Sequence, residues 1–168
     1  EFAQDTGHTA ADFYTNRTVI DLVLELANPQ PGESIYDPAC GSGGFLLKTA
    51  LYLKNMGKEY RNLKLYGQEL KVFTTSVARI NMLMHGIDEF TFTSGNTIDT
   101  PQILEDDQIK QFDLVMSNPE FTVDIWNQAK FTNDPYGRNI AGVPPKGNGD
   151  MAWVQHMIKS MKPLTGRM

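Results

Sequence analysis

Residues 37–46 form a glycine-rich stretch that opens with a carboxylate, Asp37. This stretch stands between a short β-type run, 34–36, and an apolar helical run, 45–56. The order predicts a strand, a loop and a helix. In such a loop glycine lets the backbone approach a ligand, and the helix N-terminus offers free N–H groups. The pattern predicts a cofactor-binding loop, and a tight structural turn is the alternative interpretation.

Asp37 carries a negative charge at the end of the predicted strand, beside the expected ligand. A pyrophosphate would be repelled by that charge unless a cation intervened, whereas an ammonium or sulfonium group would be attracted. S-adenosylmethionine carries both of these cations and no phosphate. The residue types therefore favour S-adenosylmethionine, and the alternative is that Asp37 is a turn or helix-capping residue.

Glu69 ends the next alternating run along the chain. A carboxylate at the end of the second strand is suited to accept hydrogen bonds from both hydroxyls of a ribose. The alternative is a solvated loop carboxylate. This residue does not distinguish S-adenosylmethionine from a nicotinamide dinucleotide, because both contain ribose.

Residues 118–121 supply groups that could hold and activate an amine. The side-chain oxygen of Asn118 and the carbonyl of Pro119 are two hydrogen-bond acceptors, and Phe121 can stack on a flat ring. Accepting both hydrogens of an exocyclic amine frees a lone pair that is otherwise delocalised into the ring. These residues predict attack by such an amine on a methyl group, and a strand-end turn with a buried Phe is the alternative.

The elements that position these groups alternate along the chain. Apolar periodicity predicts helices at 17–27, 45–56, 72–84 and 150–161, and strands at 34–37, 63–69, 90–93 and 112–117. Such alternation predicts an α/β fold, a mostly parallel sheet with helices on both faces. The carboxyl ends of the strands then share one edge, where Asp37, Glu69, Asn96 and Asn118 would meet.

Several segments lie outside this alternation. Residues 1–16 are polar and are predicted to form a loop, and residues 97–111 are acidic and irregular in sequence. Residues 122–149 form a Gly- and Pro-rich loop, interpreted as either a functional lid or a disordered segment. After the helix 150–161 the sequence predicts a turn and then the beginning of a strand that the chain does not complete. This predicts that the fourth strand is left as the edge of the sheet.

Composition narrows the function classes. The 168 residues correspond to one domain, with 40% hydrophobic and 21% charged residues. The net charge of −5 argues against broad adhesion to nucleic acid. The single cysteine, Cys40, is interpreted as a small packing residue. A chain with one cysteine cannot form an internal disulfide, which is typical of a reducing compartment. The sequence has no apolar run near the length of a membrane span and no signal peptide, so we expect a cytoplasmic protein without membrane contact. No His, Cys or carboxylate residues stand at metal-ligand spacing, so we expect no metal.

Residues 37–46 closely resemble the cofactor loop of N6-adenine DNA methyltransferases, and above all that of the modification subunit of type I restriction-modification systems. Residues 118–121 resemble the catalytic Asn-Pro-Pro-Phe motif of these enzymes. Further stretches resemble the family in the same order along the chain: 7–15, 66–69, 81–87, 95–97, 149–150 and 155–157. The resemblance extends over nearly the whole chain.

The resemblance implies a Rossmann-like, S-adenosylmethionine-dependent methyltransferase fold that methylates N6 of adenine in double-stranded DNA. The chain would be part of a catalytic domain, with 1–16 contacting the cofactor and 17–121 forming the cofactor-binding core. A specificity subunit and a restriction subunit would be its partners. The implied catalytic residues are Asn118, Pro119 and Phe121. The implied cofactor-binding residues are Phe13, Tyr14, Thr15, Asp37, Ala39, Gly41, Gly43, Gly44, Phe45, Glu69, Asn96 and Thr97.

The sequence departs from the family pattern in three ways. Glu120 replaces the second proline of the catalytic motif, and Asn16 replaces a proline that commonly follows 13–15. The chain also resembles a fragment that ends before the fifth strand. The alternatives are a methyltransferase for RNA or a protein glutamine, and an inactive S-adenosylmethionine-binding scaffold. A dinucleotide oxidoreductase is a more distant alternative.

Overall fold

The computed structural model describes residues 15–120 and 126–168. Its first elements are α1 (Arg17–Ala27), β1 (Ser34–Asp37), α2 (Gly44–Asn55), β2 (Lys64–Glu69) and α3 (Val72–Met84). These are followed by β3 (Phe90–Ser94), β4 (Leu104–Glu105), β5 (Gln108–Ile109), β6 (Leu114–Val115), α4 (Gln128–Thr132) and α5 (Asp150–Lys159). None of the helices within the described ranges is long and apolar enough to span a membrane.

Four strands form a parallel sheet in the order β3-β2-β1-β6. The register sets Ile35 of β1 between Leu65 of β2 and Leu114 of β6. The first strand is therefore central, and the chain moves outward on both sides of it. This arrangement confirms the predicted α/β fold class and brings the carboxyl ends of the strands to one edge of the sheet.

Side chains on the two faces of the sheet belong to two apolar clusters. Ile35 packs in the cluster that includes Leu46 of α2 and Met82 of α3. Its neighbour Tyr36 points to the opposite face and packs in a cluster with Met157 of α5. The alternation along β1 thus follows the two-residue period of a strand, and helices cover both faces as predicted.

The outer edge of β6 is paired with the last residues of the chain. The Phe112 N–H donates to the Ser160 carbonyl at 2.8 Å, and the Lys162 N–H donates back to the Phe112 carbonyl at 2.9 Å. Further along, the Val115 N–H donates to the Arg167 carbonyl at 2.9 Å. The fourth strand is the outermost strand of the sheet, as predicted, but its edge is not left unpaired, because isolated bridges to Met161 and Arg167 cover it.

Three predicted boundaries are corrected. The acidic segment 97–111 contains an antiparallel hairpin of β4 and β5, whose turn residues Asp106 and Asp107 have φ values of 49° and 58°. The predicted loop 122–149 contains α4, whose Phe131 is buried. The predicted strand 112–117 is reduced to β6.

Candidate functional site

A cavity of about 760 Å³ lies where the carboxyl ends of the sheet strands meet. Its volume is within the range of small-molecule and cofactor sites, about 300–1,000 Å³. The predicted site residues that line it are Thr15, Asp37, Ala39, Gly41, Gly44, Phe45, Glu69, Asn96, Thr97 and Asn118. The fold therefore brings residues from distant parts of the sequence to one cavity.

Two predicted site residues with described positions lie outside this lining. Gly43 faces α3, and a Cβ atom at this position would lie 3.0 Å from Met82 Cε and 3.4 Å from Ala78 Cβ. With a φ of 83°, Gly43 serves the close approach of the loop to the helix. Pro119 follows the cavity residue Asn118. The predictions for Phe13, Tyr14 and Phe121 fall outside the described residues.

The carboxylate of Asp37 is buried and braces the glycine-rich loop. Its Oδ1 accepts hydrogen bonds from the Ala39 N–H at 3.0 Å and from the Ser117 hydroxyl at 2.7 Å. Burial raises the pKa of Asp37 to about 7, while these two hydrogen bonds act to lower it and the nearby charge of Glu69 raises it further. Asp37 thus has the turn role that was the alternative interpretation, and it also lines the cavity.

Glu69 connects the end of β2 to the glycine-rich loop. Its Oε2 accepts from the Gly41 N–H at 3.2 Å, and its Oε1 accepts from the Lys71 N–H at 2.9 Å. The side chain is buried, so the alternative of a solvated loop carboxylate is excluded. A carboxylate oxygen accepts more than one hydrogen bond, so both oxygens retain capacity for a ligand.

The end of β3 is also tied to the glycine-rich loop. The Thr97 hydroxyl donates to the Pro38 carbonyl at 2.6 Å. Asn96 Oδ1 accepts from the N–H groups of Ile98 at 2.9 Å and Asp99 at 3.0 Å, so this side chain fixes the turn that follows the strand. The cavity wall is therefore braced on the side of β3 as well as on the side of β2.

The side-chain amide of Asn118 has a defined orientation. Its Nδ2 donates to the Thr15 hydroxyl at 3.2 Å, and within residues 15–120 and 126–168 no hydrogen bond falls on Oδ1, which is an acceptor. Glu120, which replaces the family's second proline, also lines the cavity and is exposed. A carboxylate and an amide oxygen therefore share this side of the site.

Trp153 lies in the first turn of α5 and lines the same cavity, but it was not predicted as a site residue from the sequence. The sequence did contain a signal for Trp153, because an aromatic residue in the first turn of this helix lies near the edge where the strands have their carboxyl ends. Asn81 was not predicted as a site residue either, although its Nδ2 donates to the Ser42 carbonyl at 3.0 Å and holds the glycine-rich loop against α3. His85, at the end of α3, lines the cavity too.

Cys40 lies inside the glycine-rich loop but is packed away from solvent. A Cβ atom at Gly67 would lie 2.8 Å from Cys40 Sγ, so the thiol occupies the space above that glycine. Burial raises the pKa of the Cys40 thiol well above its ordinary value, and nearby Asp37 and Glu69 add to the effect. Among the described residues, no group of three or more His, Cys, Asp and Glu side chains could hold a metal ion.

The donor set of the cavity fits S-adenosylmethionine. Buried carboxylates stand at two strand ends, where they can face a cation and a ribose, and the glycine-rich loop leads directly into α2. The parallel sheet, this loop and the strand-end cavity define the class of S-adenosylmethionine-dependent methyltransferases.

The chain belongs to the N-6 DNA Methylase family, whose model matches residues 1–168. S-adenosylmethionine is the methyl donor that this family and its fold imply. The methyltransferase subunit of a type I restriction-modification system from Streptococcus thermophilus superposes with a TM-score of 0.81 at 27% identity, covering 98% of this chain and 35% of that one. For the M protein of the type I restriction enzyme EcoKI the TM-score is 0.67 at 25% identity, with 90% of this chain and 32% of that one covered.

Curated relatives are similar at higher identity. The chain is 35% identical over 163 residues to the type I restriction enzyme HindI methylase subunit of Haemophilus influenzae, covering 96% of this chain and 35% of the relative. It is 32% identical to the MjaVII methylase subunit of Methanocaldococcus jannaschii, covering 92% of this chain and 27% of the relative. The chain thus spans about a third or less of the length of these relatives.

Proposed function

We propose that this chain provides the cofactor-binding and catalytic part of a modification subunit, which transfers a methyl group from S-adenosylmethionine to N6 of an adenine in double-stranded DNA. The observation that carries the proposal is that Asp37, Glu69 and Asn118, from three different strand ends, line one cavity. Membership of the N-6 DNA Methylase family supports this choice of substrate.

Asp37 and Glu69 have complementary roles in this proposal. Within the described residues both hydrogen bonds of the Asp37 side chain fall on Oδ1, so Oδ2 is the oxygen proposed to meet the positive end of the cofactor. Glu69 is proposed to accept from the ribose hydroxyls while it keeps its backbone contacts. When bound, S-adenosylmethionine supplies an electrophilic methyl group.

Asn118 and Pro119 are proposed to hold the target amine. Asn118 Oδ1 and the Pro119 carbonyl would accept the two hydrogens of N6, which draws the nitrogen towards tetrahedral geometry and frees its lone pair. Thr15 supports this role by engaging Asn118 Nδ2. Phe121 is proposed to stack on the adenine, which must leave the base stack at a cost of about a few kcal/mol.

The subunit partners follow from the type I relatives and remain part of the proposal. A separate specificity subunit would read the DNA sequence, and a restriction subunit would complete the system. The net charge of −5 is compatible with this division of labour, because the chain need not hold DNA alone. We propose a cytoplasmic location, where such a system meets its DNA.

One observation favours a second candidate, a cofactor-binding scaffold without transfer activity. Glu120 lines the cavity beside Asn118, where its carboxylate could repel the DNA backbone. If the chain is such a scaffold, it should bind the cofactor but transfer no methyl group. Replacement of Glu120 by Pro should then give transfer activity. Glu120→Gln is the matched variant, because it removes the negative charge but does not restrict the backbone as Pro does.

Radiolabelled methyl transfer to duplex DNA, RNA and protein, with and without added partner subunits, tests the proposal. We expect label on adenine N6 of duplex DNA, and a loss of about a hundredfold or more in Asn118→Ala with cofactor binding retained. Label confined to RNA or protein would overturn the choice of substrate. Calorimetry that detects no S-adenosylmethionine binding by the folded wild-type chain would overturn the whole proposal.

A further inference from the structure

Arg138 is a buried cation outside the lining of the cavity, with only 1% of its surface exposed. It makes an ion pair with Asp134, in which Nη2 and Nε lie 2.7 Å and 3.0 Å from Oδ1. Asp134 Oδ2 also accepts from the Arg138 backbone N–H at 2.7 Å. The pair is local, four residues apart, and makes the burial of the guanidinium feasible because the charge is neutralised.

The remaining guanidinium hydrogens point to another part of the fold. Nη1 donates to the Thr97 carbonyl at 3.0 Å, and Nη2 donates to the Ile98 carbonyl at 2.7 Å. Nη1 also contacts His156 Nδ1 at 3.3 Å. An arginine side chain has five N–H donors, and here each of the five has an acceptor.

His156 extends this network to the central strand. Burial, and next the charge of Arg138, lower the pKa of His156 to about 3, so its ring is neutral. Because Nδ1 accepts from Arg138, Nε2 carries the hydrogen and donates to the Tyr36 oxygen at 3.1 Å. Tyr36 belongs to β1, the strand that ends in Asp37.

The two carbonyls that Arg138 engages belong to successive residues, of which Thr97 lines the cavity and Ile98 lies directly after it. Thr97 lines the cavity and donates through its hydroxyl to the Pro38 carbonyl of the glycine-rich loop. Ile98 follows directly and is buried against Phe131 of α4. The guanidinium therefore holds the segment after β3 from outside the cavity.

We infer that Arg138 is a positioning residue for the cofactor, acting through the Thr97 and Ile98 carbonyls on the wall of the cavity. This inference rests on the proposed function. The sequence presented residues 122–149 as a lid or a disordered loop. The described part of that segment, 126–149, is then a fixed support for the cofactor side of the site. A guanidinium suits the role because its planar fork reaches two successive carbonyls and a carboxylate together, which an ammonium cannot do.

The test compares S-adenosylmethionine and S-adenosylhomocysteine affinities of the wild type and Arg138→Lys by calorimetry. The matched control is Arg79→Lys, because Arg79 also donates to a backbone carbonyl, but its acceptor residue, Phe92, does not line the cavity as Thr97 does. We expect cofactor affinity to fall about tenfold in Arg138→Lys and to stay within about twofold in Arg79→Lys. In the methylation assay the change should appear in the KM for the cofactor and not in kcat.

Asp134→Asn provides a second variant in case Arg138→Lys does not fold. It keeps the shape and an acceptor but removes the charge, and a threefold or larger loss of cofactor affinity in the folded variant supports the inference. If the folded Arg138 or Asp134 variants bind both ligands as the wild type does, the positioning role is wrong and the proposed function stands. If the folded wild type binds neither ligand, the proposed function fails and the positioning role fails with it.

Discussion

The hydroxyl of Ser117 donates a 2.7 Å hydrogen bond to Oδ1 of Asp37. Ser117 directly precedes Asn118, the proposed amine-binding residue, and Asp37 opens the glycine-rich loop. One hydrogen bond thus joins the proposed cofactor-binding end of β1 to the proposed catalytic turn after β6. Burial is the main reason that the pKa of Asp37 is raised to about 7, and this hydrogen bond acts to lower that pKa.

Removal of this hydroxyl in Ser117→Ala should weaken cofactor binding near neutral pH. Loss of a hydrogen bond that stabilises the carboxylate raises the pKa of Asp37 further, so less of the ionised form is present to meet a cation. We expect affinity for S-adenosylmethionine near pH 7 to fall about tenfold, with a smaller loss about two pH units higher. Calorimetry at both pH values measures this. Ser76→Ala is the control, because the Ser76 hydroxyl bonds within α3, and an equal loss at both pH values for Ser117→Ala would contradict the explanation.

Cofactor affinity of the wild type should rise with pH up to about 7. The folded carboxyl of Asp37 has its pKa raised from 3.8 to about 7, so below that pH the protonated, uncharged form dominates. A cationic ligand favours the carboxylate, and its affinity should therefore rise about tenfold per pH unit below 7 and level off above. Titrations across this range measure the slope. Asp37→Asn should bind weakly and lack the slope, and a slope that survives this substitution would assign the titration to another group.

The stability contributed by His156 should rise with pH, because the pKa of this residue is lower in the folded chain than in the unfolded chain. Its pKa is lowered from 6.5 to about 3, so between these values the unfolded chain binds a proton that the folded chain does not. The stabilisation is therefore complete above about pH 6.5 and is lost as pH falls towards 3. The destabilisation caused by His156→Gln should be largest near pH 7 and shrink towards pH 4 by at most about 3 kcal/mol.

Urea unfolding of the wild type and His156→Gln at several pH values measures this difference. Exchange of the exposed His85 for Gln controls for loss of an imidazole. A difference between wild type and His156→Gln that is constant with pH would show that the His156 ring does not titrate between the folded and unfolded states as expected.

Gly43→Ala should destabilise the fold more than the same exchange at another left-handed glycine. Gly43 and Gly57 have φ values of 83° and 68°, but only at Gly43 would a Cβ meet neighbours, Met82 and Ala78 of α3. We expect Gly57→Ala to cost about 1–2 kcal/mol for backbone strain, and Gly43→Ala to cost at least about 1 kcal/mol more. Chemical unfolding of both variants measures the difference, and equal costs would rule out the proposed contact with α3.

Much of the fold could be predicted because its signals are local. The bounds of β1 and α3 match their predictions, since apolar periodicity and strand length are readable within a few residues. The hairpin of β4 and β5 was missed because its two-residue strands are too short to show a period. Its turn also uses Asp106 and Asp107 at positive φ, without the glycine that usually marks such turns.

The position of the site was predictable from topology, and its internal bonding was not. The rule that parallel strands end at one edge was enough to bring Asp37, Glu69 and Asn118 together. It could not reveal that Asp37 and Glu69 also brace the loop, which depends on distances within the folded chain. Arg138 stood in a polar, glycine-rich stretch, and its burial depends on acceptors about 40 residues earlier.

The packing of Cys40 gives the protein an intrinsic chemical probe. It is the single cysteine of the chain, it is buried in the glycine-rich loop, and its Sγ occupies the space above Gly67. Because the thiol is buried against β2, we expect a thiol reagent to react with it fastest when that loop separates from β2. The rate at which one sulfur is alkylated therefore measures how often the cofactor loop opens, in the unmodified protein and without an introduced label.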